Sequence, residues 1–191
     1  MLVSALICLY FYVESASPAA LEKKIGKIAY SKCARYRLIA SIFEIITCIN
    51  YVIYFLYPLT VSFPKTFPWD WWISALIATL IAISGGYLFG KGIKDAGEET
   101  IMPKKEHVLY GGIYKKIRHP RAAGEITFWW VIAFFLNSPF LALFSFIWIP
   151  IFYMMCWAEE KDLIIRYGKE YLEYRRNTGF IIPKRNIILK K

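Results

Sequence analysis

The chain has 191 residues, 58% of them hydrophobic and 18% aromatic, where a soluble domain holds about 45–50% apolar residues. The excess is gathered in membrane-length blocks, which excludes an ordinary soluble globular domain and predicts an all-α integral membrane protein, residues 1–191 forming one domain. The net charge of +10 would suit a nucleic-acid binder, but the placement of the basic residues accounts for all of them without nucleic acid.

Apolar runs occur at Leu2–Val13, Leu38–Leu59, Trp71–Phe89 and Ala122–Ala158. The last is interrupted by Asn137-Ser138-Pro139, residue types that favour a turn. About five transmembrane helices are therefore expected, segments four and five forming a hairpin. The first run, at roughly 18 Å of helix, is short for a hydrocarbon core of ~30 Å. Its Ser15-Ala16-Ser17 end resembles a signal-peptide cleavage site, yet no basic stretch precedes it, so a short, tilted or partly interfacial helix is expected. Segment two carries Glu44, with Asn50 beyond it. An ionisable group at that depth costs several kcal/mol unless it faces a polar cavity or is paired, so Glu44 lines a cavity or steadies a basic group, or else is a protonated acid hydrogen-bonded to a neighbouring helix. Tyr54, Tyr57, Trp69, Trp71 and Trp72 fit an interfacial aromatic belt.

Segment three ends in Gly85-Gly86-Tyr87-Leu88-Phe89-Gly90, where the Gly86/Gly90 spacing predicts close approach of another helix of this chain. A polar loop, Lys94–His107, follows. Segment four starts after Pro120 and has Glu125 in its first turn, where a carboxylate complements the helix dipole. At about 22 Å of helix, Ala122–Leu136 barely crosses. After Trp157 the pattern turns amphipathic, predicting a helix that continues out of the bilayer along the cytoplasmic surface and ends at Asn177-Thr178-Gly179.

Lys and Arg number six in Glu14–Arg37, one in Tyr57–Asp70, eight in Lys91–Arg121, none in the 137–139 turn and nine after Ala158. This alternation places the N-terminus outside and the tail in the cytoplasm, with anionic lipid at the cytoplasmic face as a partner. The four cysteines show no CxxC pairing and only two histidines could assist them, so no metal is expected.

Polar residues of one chemical type gather around Arg118. Gly111 and Gly112 permit close backbone approach to a ligand. Tyr114 offers an aromatic face or a hydroxyl. Arg118 can clamp a carboxylate, and His119 precedes Pro120 at a helix start. Some 40 residues on, Glu159 and Glu160 can receive an ammonium or ribose hydroxyls. Together these suit a zwitterionic nucleoside cofactor meeting a membrane-dissolved substrate.

The set Val108-Leu109-Tyr110-Gly111-Gly112-Ile113-Tyr114, Arg118-His119-Pro120, Glu159-Glu160 and Gly168-Lys169-Glu170-Tyr171-Leu172-Glu173-Tyr174 resembles the isoprenylcysteine carboxyl methyltransferases and the related phospholipid N-methyltransferases. The resemblance covers residues 106–183. It implies S-adenosylmethionine as cofactor, S-adenosylhomocysteine as product, and a lipophilic or lipidated acceptor bearing a carboxylate. It makes residues 1–90 a three-helix N-terminal part and residues 91–191 the cofactor-binding part. By position it implies cofactor contacts at Glu106, His107, Val108, Leu109, Tyr114, His119, Pro120, Arg121, Ala122 and Glu159. Arg118 and Glu160 are the candidate catalytic residues, and Glu125 and Met155 the candidates for the acceptor side. Ala122 stands where the family usually has Tyr, and Met155 where the eukaryotic carboxyl methyltransferases have Arg. A monomer is expected. The competing readings are an NADPH-dependent sterol-type reductase, for which Arg166-Tyr167-Gly168 is comparable, and a non-catalytic membrane scaffold.

Overall fold

The computed structural model describes residues 1–58, 63–97 and 111–184. Eight α-helices follow one another: α1 (Leu2–Ser15), α2 (Pro18–Ile25), α3 (Ile28–Leu56), α4 (Trp71–Ala96), α5 (Pro120–Phe135), α6 (Pro139–Phe144), α7 (Trp148–Tyr167) and α8 (Lys169–Asn177). Two 3-10 turns, Gly112–Lys115 and Ser145–Ile147, link them.

Among the described residues, three stretches are long and apolar enough to cross a bilayer: α3, α4, and the 29-residue run Pro139–Tyr167 built from α6, the second 3-10 turn and α7. A fourth exists if α1 and α2, bent by 61° at Ser17-Pro18, act as one span. Three to four spans are thus supported among the described residues, by length and composition, against the about five expected. With 16 residues, α5 is about 24 Å long, short of a ~30 Å core. It nevertheless runs antiparallel to α4 over most of that helix. The pairing extends from Gly92 and Arg121 at one end to Ser74 and Asn137 at the other, where Ser74 Oγ donates to Asn137 Oδ1 at 2.6 Å.

The α4–α5 contact has little room for side chains. A Cβ on Gly124 would collide with the Gly85 carbonyl and with Phe89, and one on Gly92 would lie 2.9 Å from the Arg121 nitrogen. The expected partner, another helix of this chain, is therefore α5. The glycines that make the contact are Gly85, Gly92 and Gly124. Among the described residues, a Cβ on Gly86 or Gly90 would meet nothing within 4 Å. A glycine spacing identifies a helix that can be approached but not which stripe the partner uses.

At the centre, Trp129 of α5 stacks on Trp148 of α7 with centroids 3.7 Å apart. Trp148 Nε1 donates to the Tyr51 hydroxyl of α3 at 3.3 Å. Helix α1 lies along α3, joined by Thr47 Oγ1 donating to Ser4 Oγ at 2.9 Å. Leu38, Ile45, Ile53, Leu76, Leu80 and Ile83 are exposed on α3 and α4, the arrangement expected where lipid rather than water surrounds the helices. The turn at 137–139 forms as expected: Asn137 takes φ 52 and Ser138 caps α6, with Pro139 at its first position. The amphipathic stretch is not one helix. Gly168, at φ 55, ends α7 and starts α8.

Candidate active site

The ends of α1, α4 and α7 and the starts of α3 and α5 gather at one end of the bundle, where α8 also packs. They enclose a cleft of about 1080 Å³, counting its open mouth. One wall is made by the segment Lys116–Pro120. It is held in place by backbone pairing with the chain just after α8: Arg118 N–H donates to the Gly179 carbonyl at 2.8 Å, and His119 N–H to the Phe180 carbonyl at 3.0 Å. Pro120 has no N–H to leave unsatisfied and opens α5.

This pairing delivers Arg118 and His119 to α7. Arg118 Nε donates to Glu160 Oε1 at 2.7 Å. Its Nη1 donates to the carbonyls of Arg175 and Thr178. His119 Nε2 lies 3.1 Å from the same Glu160 oxygen, and Arg175 Nε lies 3.4 Å from the other. Glu160 is 3% exposed. A carboxylate so far from water persists only when fully paired, and here two guanidinium groups and an imidazole surround it. The candidate catalytic pair Arg118–Glu160 is thus also the joint that ties the loop, α7 and α8 together.

Glu159, its neighbour, points elsewhere. It is 28% exposed, with Oε2 3.7 Å from His119 Nδ1. Its Oε1 accepts from the Tyr12 hydroxyl at 2.7 Å and lies 3.8 Å from Arg37 Nη2. Tyr12 and Arg37 come from α1 and α3, and both line the cleft. Sequence reasoning missed them because nothing in an apolar run marks one tyrosine as facing a glutamate 147 positions away. Asp162 was missed too. It accepts the Ala19 N–H at 2.8 Å and pairs with Arg166 at 2.8 Å, docking the start of α2 onto α7.

Tyr114 is buried in the cleft wall, its hydroxyl donating to the Gly92 carbonyl at 3.2 Å. Burial pushes that phenol upward from its ordinary value. Tyr174 donates to the Tyr114 carbonyl at 2.7 Å, and burial raises its phenol to about 12. At Gly112, φ 58, the Asp95 carboxylate occupies the space a Cβ would need and accepts the Ile113 N–H at 2.7 Å. Tyr171, which also lines the cleft, is 1% exposed and its hydroxyl has no hydrogen-bond partner among the described residues.

The other end of the cleft is apolar, walled by Ala122, Phe152, Met155 and Cys156. Arg121 and Glu125 stand beside it, paired at 3.4 Å. The structure therefore brings together Tyr114, Arg118, His119, Pro120, Arg121, Ala122, Glu125, Met155, Glu159 and Glu160. Glu106, His107, Val108 and Leu109 lie outside the described residues.

Comparison with known proteins gives the same end of the molecule an ancestry. The family model for phospholipid methyltransferases matches residues 73–170, just over half of the chain. A methanethiol S-methyltransferase from a Pseudomonas species is 34% identical over 122 residues, which cover 62% of this chain and 44% of that protein. The protein-S-isoprenylcysteine O-methyltransferase of Saccharomyces cerevisiae is 33% identical over 120 residues, covering 58% of this chain and 49% of the relative. A methanethiol S-methyltransferase from Pseudomonas deceptionensis is 33% identical over 121 residues, covering 60% and 43%. The chain thus spans less than half the length of each of these relatives, and no solved structure matches it. The matched segment contains nearly all of α4, the whole of α5, α6 and α7, and most of the residues that line the cleft, and on that ground this multi-pass membrane protein belongs to the phospholipid methyltransferase family.

Proposed function

We propose that the chain catalyses methyl transfer from S-adenosylmethionine to a lipophilic acceptor that enters the cleft from the bilayer. The observation that carries this reading is the contrast within one cleft. A polar end offers the part-exposed Glu159 carboxylate and the buried Tyr171 hydroxyl, which has no hydrogen-bond partner among the described residues. An apolar end is formed by Phe152, Met155 and Cys156. The donor set fits a zwitterionic nucleoside. Glu159 would take its ammonium or ribose hydroxyls, and Tyr114 and the backbone from His119 to Ala122 would wall it; the family resemblance adds Glu106 to Leu109 as contacts. S-adenosylmethionine supplies an electrophilic methyl group on a sulfonium.

The chain's own contribution is alignment and the exclusion of water, since in-line displacement at a sulfonium gains chiefly from positioning. The Arg118–Glu160 joint fixes the loop against α7, so that Glu159 and His119 keep their separation. Arg37, Arg118, Arg121 and Arg166, drawn from the three basic regions, line the cleft, and with the charge alternation of the sequence this supports a cytoplasmic cleft end with anionic lipid around it. The acceptor is a lipophilic small molecule or a lipidated chain, and the protein acts as a monomer. A carboxylate oxygen, the acceptor the sequence suggests, and a thiol sulfur correspond to the two kinds of relative.

Calorimetry with S-adenosylhomocysteine tests the reading. The protein in detergent binds it, and Glu159→Ala abolishes that binding while leaving the melting temperature within a few degrees. Unchanged affinity in the variant refutes the role of Glu159, and preferential stabilisation by NADPH would favour the reductase.

A further inference from the structure

Tyr12, Tyr114 and Tyr174 line the cleft, and each donates its hydroxyl to a protein acceptor: the Glu159 carboxylate, the Gly92 carbonyl and the Tyr114 carbonyl. Tyr171 lines the same cleft and differs. It is 1% exposed, yet its hydroxyl has no hydrogen-bond partner among the described residues. A buried phenol normally finds a partner, because an unmade bond leaves the group's lost hydration uncompensated. The hydroxyl is also held where it is. Tyr174, one helical turn on, is anchored to the Tyr114 carbonyl, and Arg118 Nη1 donates to the carbonyls of Arg175 and Thr178. These bonds fix α8 against the Arg118 loop, so the Tyr171 donor is in place before any ligand arrives, which lowers the ordering cost of binding.

The surroundings select what can accept that hydrogen bond. Each of the four arginines lining the cleft is matched to a carboxylate: Arg37 to Glu159, Arg118 to Glu160, Arg121 to Glu125 and Arg166 to Asp162. A ligand carboxylate buried against Tyr171 would therefore meet one phenol and a set of guanidinium groups already matched, a costly burial. An ammonium or ribose hydroxyls are better served at Glu159, which is 28% exposed. What the Tyr171 corner can hold is a flat, uncharged group with an acceptor nitrogen. The Tyr171 and Tyr174 rings, with centroids 5.7 Å apart, add aromatic surface beside it.

Resting on the proposed methyl transfer, we propose that Tyr171 recognises the adenine base of the cofactor, its hydroxyl donating to a ring nitrogen. Tyr171 lies outside the set of contacts that the family resemblance implies. The bond exists only in the loaded protein, so it strengthens cofactor binding and contributes nothing to the stability of the ligand-free fold.

That asymmetry is the test, made on the full chain in detergent. Tyr171→Phe keeps the ring and removes the hydroxyl. Without ligand it melts at or above the wild-type temperature, since no bond is lost. In calorimetry its affinity for S-adenosylhomocysteine falls about fivefold to tenfold, the scale of one hydrogen bond. The 1-deaza, 3-deaza and 7-deaza adenine analogues of S-adenosylhomocysteine then locate the bond. One of them binds wild type and Tyr171→Phe equally, because the accepting nitrogen is gone. The other two still distinguish the proteins.

Equal S-adenosylhomocysteine affinity in the two proteins overturns the proposal. So does a Tyr171→Phe protein that weakens all three analogues by the same factor, which would put the acceptor elsewhere on the ligand. A ligand-free variant that melts several degrees early overturns it as well, because the hydroxyl would then be bonded within the fold. Failure of the wild type to bind S-adenosylhomocysteine would instead remove the methyltransferase reading itself.

Discussion

Glu159 and Glu160 are adjacent in sequence and opposite in circumstance. Glu160 is nearly sealed from solvent and touched by Arg118, His119 and Arg175. Glu159 keeps more than a quarter of its side chain exposed and is touched by one phenol at 2.7 Å and by an imidazole and a guanidinium at 3.7 Å and beyond. A helix turns by about 100° per residue, so consecutive side chains meet different neighbours. Here one faces the junction of the loop with α8, and the other faces the cleft and the N-terminal helices. The difference separates charge committed to the fold from charge left for a ligand. It predicts that the two glutamates fail in different ways when altered.

The largest effect is expected at the sealed side. Removing Arg118 leaves Glu160 short of its closest cation, and breaking a buried pair costs about 3–5 kcal/mol. Arg118→Ala should therefore lower the stability of the whole cleft end, seen as an early thermal transition in detergent. Arg118→Lys sharpens the comparison. If Arg118 serves mainly as the joint, Lys cannot reproduce its three bonds and melts early as well. A Lys variant with wild-type melting and no methyl transfer would move Arg118 from the joint to the substrate.

A second test concerns the helix contact on which both glutamates depend. Gly124→Ala places a methyl group against the Gly85 carbonyl and Phe89, backbone that cannot step aside, and overpacking of this kind costs about 1–3 kcal/mol. Gly86→Ala and Gly90→Ala meet no described atom within 4 Å and should be silent. Equal melting temperatures for Gly124→Ala and Gly86→Ala would mean that α4 and α5 do not meet along the stripe seen here.

Much of this arrangement was legible in the sequence. The cores of α3 and α4, the turn at 137–139, the start of α5 at Pro120 and the end of α8 at Asn177 follow from hydropathy and from Pro and Asn chemistry, which act locally. Likewise, a conjunction of residue types in 106–183 brought Arg118, His119, Glu159 and Glu160 to attention, and the structure places them within one site. What was hidden depends on the third dimension. Gly85 rather than Gly86 makes the contact because α5 chooses the stripe. Gly168 divides the amphipathic stretch because φ 55 is invisible in a helical periodicity. Tyr12 and Arg37 reach Glu159 because helices distant in sequence share one end of the bundle.

A smaller effect is expected on the open side. Tyr12→Phe deletes the hydrogen bond to Glu159, worth about 0.5–1.5 kcal/mol, without burying an orphaned charge, since Glu159 retains solvent. Stability should fall by no more than that in a thermal melt. S-adenosylhomocysteine affinity should change by less than tenfold, in contrast to its loss in Glu159→Ala. A Tyr12→Phe protein that melts as early as Arg118→Ala would erase the distinction between the two sides.

The smallest effect is a dependence on alkaline pH, and its sign follows from the sealed side. Tyr174 donates its hydroxyl proton to the Tyr114 carbonyl, and burial raises its phenol from 10.0 to about 12. Between those values the folded protein retains a proton that the unfolded chain has released, so stability falls as pH rises. The contribution is complete below about pH 10 and is lost as pH passes through about 12. Tyr174→Phe removes the titrating group, so the fall in melting temperature across that window should be shallower than in the wild type. Tyr171 and Tyr114, also raised by burial, continue to titrate in the variant, so the slope is reduced and not abolished. An unchanged slope would show that Tyr174 is open to water, and with it the seam between α8 and the Tyr114 turn that keeps Glu160 dry.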